Sequence, residues 1–202
     1  MDSGKQYLPG TVIAVDDIAK EGGQAFFNKV FYVSENIMLS HIRGITGLDT
    51  MALQNWVKRK WVPNPNKKYY GREHLARFLI INMLRDTMQI SRIMFLLRWL
   101  NGTEEEDRVI SECGLYEYIC RCVARATDGK FPGINALDQI VEEETADFGN
   151  EAGGARRRLE TTLKIMVSAY YSALIKKSAD EMLDALGAPS DVKHGNVVEH
   201  RE

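Results

Sequence analysis

Between residues 50 and 59 the chain reads TMALQNWVKR, and between 67 and 72 it reads KKYYGR. Gln54 and Asn55 carry amides that can pair bidentately with an adenine edge, Lys58 and Arg59 add cations to the same groove-reading stretch, and Lys67 and Lys68 carry cations suited to phosphate or the minor groove, with Arg72 a further phosphate contact. Thr50, at the start of the first stretch, and Tyr70, near the end of the second, complete the candidate contact set. The chemistry these residue types support is recognition of double-stranded DNA.

Other chemistry-bearing residues form no catalytic pattern. There is no phosphate-cradling glycine motif, nucleophile elbow or Cys/His dyad. Asp138, Glu142, Glu143, Glu144 and Asp147 could place carboxylates on one helix face, as metal-binding bundles do, but such bundles supply Glu-x-x-His ligands and no His lies here. Cys113, Cys120 and Cys122 lack paired Cys-x-x-Cys spacing, and 113 and 120 share a helix face, which indicates burial; a redox or metal sensor is the alternative. Three closely spaced cysteines build no disulfide framework, in agreement with a reducing compartment. His41, at a helix start, reads as polar surface, with a phosphate contact as the alternative. The expectation is a protein that is not an enzyme, with no catalytic residue, metal or cofactor.

The net charge of -2 hides an asymmetry along the 202 residues. Residues 41–100 hold eleven Lys or Arg against three Asp or Glu, a net +8, whereas residues 1–40 carry -2 and residues 101–202 carry -8. A basic block between acidic flanks indicates a polyanion-binding face, a solvated basic face being the alternative. No segment reaches the ~18 uncharged apolar residues of a membrane span. MDSGKQYLPG lacks a basic start followed by an apolar run, so a cytoplasmic protein is expected.

Helical spacing arranges the basic block. Ser40 is a plausible N-cap for a helix through Ile45 ended by Gly47, and Asp49 or Thr50 can cap a second helix running to about Arg59, before Pro63. Two short helices with a Gly-containing turn form a helix-turn-helix, whose second helix is the one offered to the major groove. In that helix Leu53, Trp56 and Val57 are spaced for burial and Gln54, Asn55, Lys58 and Arg59 for the opposite surface. WVPNPNKKYY then suggests a β-hairpin wing turning at Asn66, Lys67 and Lys68. Leu75, Phe78, Leu79 and Leu84 predict a helix with one buried face, and SRIMFLLRWL a fourth helix, capped by Ser91 and stopped at Asn101-Gly102.

The run HIRGITGLDTMALQNWVKRKWVPNP, followed by YYGREHLARFLIINMLRD and ISRIMFLL, resembles the winged helix-turn-helix of MerR-type transcription regulators. LQNWVKRKWVPNPNKKYY with LIINMLRD is similar, more closely still, to a bacterial MerR-related family known as a domain of unknown function. The resemblance covers residues 38–100 and implies that Trp56 anchors the recognition helix, that Trp61, Val62 and Pro63 form its exit, and that Tyr70 closes the wing. Gln54 and Asn55 stand where MerR-type helices usually have Arg then Tyr, and Lys60 where Gly is usual.

Beyond Gly102 the chain reads as helical: Asp107 to about Arg125, Asn135 to about Ala146, and Ala152 to Leu186 with Leu159, Leu163, Met166, Tyr170 and Leu174 three or four apart. The expected fold is mainly α, a MerR-like winged helix-turn-helix domain followed by a C-terminal all-helical region. Its expected parts are a loosely attached arm (1–35), in which GQAFFNKVFYV could add a strand or helix turn against the winged domain, the DNA-binding domain (36–101), a helical dimerisation or effector region (102–188) and a disordered tail (189–202) that holds His194 and His200. A chain cut after Gly102 is expected to stay folded as a winged domain and to bind DNA more weakly. The function expected is a dimeric, sequence-specific DNA-binding transcriptional regulator; the sequence names no small-molecule effector. An interaction module that reuses the winged fold without binding DNA is the alternative, and a carboxylate-dependent enzyme in the C-terminal region is the weakest.

Overall fold

The computed structural model describes residues 7–15, 22–102, 107–125, 131–149 and 154–187. The tail expected over 189–202 lies outside the described residues. In chain order the elements are α1 (Gly22–Val30), β1 (Ile37–Met38), α2 (Leu39–Thr46), α3 (Thr50–Lys58), β2 (Tyr69–Tyr70), α4 (Arg72–Leu84), α5 (Ile90–Asn101), α6 (Glu112–Ala124), α7 (Ile134–Glu144) and α8 (Ala155–Ala185). The fold is mainly α, as the periodicity indicates, and among the described residues it has one antiparallel pair of two-residue strands.

Helix α4 is the hub. Its Leu75, Phe78, Leu79, Ile80, Ile81 and Leu84 are all fully buried, so it is enclosed on every side rather than along one face. A helix apolar all round needs neighbours all round, and α2, α5, α6 and α8 supply them. A polar clamp fixes the α4–α6 crossing. Arg77 pairs with the buried Glu112, and the Glu73 carboxylate accepts the Glu112 N–H at 2.7 Å and an Arg108 N–H at 2.9 Å.

α6 begins at Glu112 rather than Asp107. Ser111 Oγ caps it by accepting the Gly114 N–H at 3.0 Å, and the preceding link is held out of helix because Asn101 Oδ1 accepts the Val109 and Ile110 N–H groups at 3.1 and 3.0 Å.

The described part of residues 1–35 is not a loose arm. Phe26 and Phe27 of α1 are fully buried, and Phe27 meets the Tyr116 ring edge-on at 5.6 Å. Tyr116 donates its hydroxyl to the Pro9 carbonyl at 2.7 Å, and the Glu117 carboxylate accepts the Gln24 N–H at the start of α1. α1 therefore packs on α6, within the region expected to be separate. One continuous core runs from Leu8 to Tyr171, so the boundary expected at 101/102 is not a break in packing.

The acidic residues of α7 face cations. Arg121 meets Glu144 at 2.7 Å and Asp147 at 3.1 Å, Arg125 meets Glu143 and Glu144, and Lys164 meets Asp138 at 3.1 Å. These pairs tie α7 to α6 and α8. Cys120 and Cys122 are buried and Cys113 is half-buried; burial pushes the Cys122 thiol up to about 12 and raises the other two as well. Helix α8 contributes Leu159, Leu163, Met166 and Tyr170 to the core, and Tyr171 donates its hydroxyl to the Val123 carbonyl. From Leu174 onward it is exposed on all sides, so Leu174 leaves the buried series expected for it.

Candidate nucleic-acid interface

α2 starts two residues earlier than the Ser40 cap predicts, because His41 reaches back and accepts the Met38 N–H on Nδ1 at 3.2 Å. That bond gives His41 a structural partner. Gly47, at φ 71°, ends the helix in the left-handed region, and Asp49 Oδ1 caps α3 by accepting the Ala52 N–H at 2.7 Å. Asn82 of α4 fastens the turn from beneath, its amide donating to the Thr46 carbonyl at 3.1 Å and the Gly10 carbonyl at 2.9 Å.

α3 buries Leu53 and Trp56 and leaves Thr50, Gln54, Asn55 and Lys58 exposed, with Arg59 exposed just past its end. The Trp56 indole is 5% exposed and stacks on Phe78 of α4, ring centroids 6.1 Å apart. Its carbonyl accepts both the Trp61 and Val62 N–H groups, which turns the chain sharply out of the helix. Lys60 sits in that exit at φ 58°, a left-handed conformation that costs an L-residue roughly 1–2 kcal/mol and glycine almost nothing.

The second group of cations stands on a tight turn. Asn66 and Tyr69 exchange backbone hydrogen bonds at 3.0 and 3.1 Å, which leaves Lys67 at φ 60° and Lys68 exposed between them. The strand leaving this turn does not return along WVPNP as a hairpin. Instead β2 pairs with β1, Ile37 opposite Tyr70 and Met38 opposite Tyr69. Pro63 and Pro65 cannot donate to a ladder, and residues 63–65 are pinned differently: His74 accepts the Gly71 N–H on Nδ1 and holds the Asn64 carbonyl 3.2 Å from Nε2.

Two predicted contact residues take other places. Tyr70 is 6% exposed, with its ring against His74 and Phe78, so it is a core residue and not a surface contact. Arg72 is oriented by α1: it donates to Asn28 Oδ1 at 2.9 Å and lies 5.5 Å above the Phe31 ring. Of the remaining seven, Thr50, Gln54, Asn55, Lys58 and Arg59 share α3 and its exit, while Lys67 and Lys68 share the turn. Lys60, outside the set expected from sequence, is a further exposed cation at the exit of α3.

Residues 24–119, just under half of the chain, match a family model described as Domain of unknown function (DUF1836). The matched stretch runs from within α1 to within α6, so it includes both partners of the α1–α6 contact. No curated protein and no solved structure matches the chain.

Proposed function

We propose that the protein is a sequence-specific DNA-binding transcriptional regulator of MerR-like type. In this proposal α2, α3 and the 66–69 turn form a winged helix-turn-helix, α3 enters the major groove, and the turn acts as the wing on the phosphates. The cytoplasm is the proposed setting. The observation that carries it is the division of α3: an apolar side anchored by Leu53 and Trp56, and an outward side bearing Gln54, Asn55 and Lys58. The backbone at Lys60 and Lys67 supports it. Glycine or asparagine would relieve the left-handed strain at both places, so two lysines there indicate that the charge has a use.

The test is a set of binding isotherms at several salt concentrations, on a random duplex and on one enriched from a random library by the wild-type protein. Gln54→Ala and Asn55→Ala are expected to cost ~1–3 kcal/mol each on the enriched duplex and little on the random one. Lys67→Ala and Lys68→Ala should weaken both and lower the salt slope by about one each. If folded variants at all four positions bind as wild type does, the basic face docks a protein partner instead.

One recognition helix contacts too little DNA for typical operator affinity, so two copies on a palindromic site are proposed. The exposed end of α8 supports self-association: Ile175 and Met182, with Leu186 just past its end, recur at spacings of seven and four and are exposed. Sedimentation is expected to give a dimer that dissociates on Ile175→Asp with Met182→Asp; a monomer both free and on DNA would remove the dimer from the proposal.

A further inference from the structure

We infer that the loop between α1 and β1 is an apolar contact for the same duplex, a use of the N-terminal segment that rests on the DNA-binding proposal above. Tyr32 is 87% exposed and Val33 93%, side by side at the tip. Water-facing apolar residues are common singly, but these two are adjacent and carried on a loop anchored at both ends.

At one end Phe31 is buried beneath the Arg72 guanidinium and its N–H reaches the Phe27 carbonyl at 2.9 Å. At the other, Ile37 is buried in the ladder, and Ser34 Oγ both donates to the Asn36 carbonyl at 2.9 Å and accepts the Asn36 N–H at 3.2 Å. The tip is thus preformed, which lowers the ordering cost of using it in a complex.

Its position sets the kind of partner. From the 66–69 turn, β2 leads to Gly71, where the Asn36 side chain and the Glu35 carbonyl come within 4 Å of the space a Cβ would fill. Next comes Arg72, bound to Asn28 and lying over Phe31. The turn that carries Lys67 and Lys68 is therefore joined by the two-residue ladder to Gly71 and Arg72, against which both ends of the Tyr32–Val33 loop are anchored. Two exposed lysines on the turn and an apolar tip anchored near the other end of the same short ladder fit a duplex whose phosphates are held while deoxyribose rings or base edges of the minor groove receive the apolar side chains.

Glu35 is the only charged residue in the loop, so the tip neutralises no phosphate and releases no counterions. That separates its contribution from that of the lysines. On the duplex enriched by wild-type protein, Tyr32→Ala with Val33→Ser is expected to weaken binding roughly tenfold with an unchanged salt slope. The melting temperature should also be unchanged, because both side chains are exposed. Tyr32→Phe with Val33→Ile, which keeps the apolar tip, should bind as wild type does. If the first pair binds like wild type while Lys67→Ala lowers the slope, the loop is no contact and the DNA-binding proposal stands. If wild type shows no salt-dependent binding to either duplex, both fall. A slope that drops with the Tyr32 and Val33 changes would also overturn the inference, since the loop would then act through phosphate contacts.

Discussion

Replacing Trp56 with alanine is expected to lower the unfolding free energy by ~3–5 kcal/mol, a large part of the roughly 5–15 kcal/mol typical of a whole domain. α3 has only nine residues and cannot hold itself helical in water. Its fold comes from docking Leu53 and Trp56 into the core, where the indole covers Phe78 of α4, and from the Trp56 carbonyl that gathers the Trp61 and Val62 N–H groups. The truncation empties the indole's place and leaves a cavity against the hub helix. Urea denaturation followed by far-ultraviolet circular dichroism measures it, with Trp56→Phe, which keeps a stacking ring, as the milder comparison. A midpoint within experimental scatter of wild type would mean that α3 is held by something other than this anchor. The defect should differ in kind from that of Gln54→Ala, which is expected to leave stability alone.

Arg77→Met is expected to be as severe at neutral pH and much milder in weak acid. Burial raises the Glu112 carboxyl above its ordinary value of 4.5, against the opposing pull of Arg77. With methionine in place of Arg77, the pull is gone and a buried carboxylate has lost its cation, a change that typically costs ~3–5 kcal/mol. A carboxyl whose value is higher folded than unfolded binds its proton more tightly in the native state. Stability therefore falls as pH rises through the interval above 4.5 and returns as pH drops toward it. Urea midpoints at pH 7 and pH 5 should show the Arg77→Met defect shrinking in acid. Arg77→Met with Glu112→Leu, which removes both charges, should cost less at pH 7 than Arg77→Met alone. Equal defects at the two pH values would show that packing of the Arg77 stem, not the stranded carboxylate, carries the effect.

The short helices were legible because their punctuation is local. Gly47 must take a positive φ, Asp49 can reach the Ala52 N–H three residues on, and Pro63 forbids helix, so α2, α3 and the exit follow from neighbours in sequence. The outward side of α3 was legible for the same reason. What sequence could not give is which distant surface meets which. Tyr69 and Tyr70 announce a strand, but nothing in WVPNPNKKYY says that its partner is Ile37–Met38, upstream of both helices. Leu75 to Leu84 looks like one stripe or a full sleeve depending on how many neighbours arrive, and α6 and α8 arrive from far down the chain. Tyr70 illustrates the cost for the site: beside two lysines in sequence it reads as surface, yet the alternation of β2 turns it inward against Phe78.

The enclosure of α4 also bears on when the fold can be completed during the protein's own synthesis. Because α4 takes cover from α8, and the core extends to Tyr171, a nascent chain that has emerged only as far as Gly102 still lacks the partners for α4 contributed by α6 and α8. The chain cut after Gly102 is in the same position, so the enclosed α4 replaces the expectation that it stays folded with the expectation that it does not. Translation adds about 5–20 residues per second, so the interval between emergence of α3 and emergence of Tyr171 lasts on the order of ten seconds. During it, eight apolar side chains of α4 that end fully or nearly fully buried are without their final cover. The half-made chain thus carries exposed apolar surface until the long last helix has been made, and α3 docks on a completed α4 only after that.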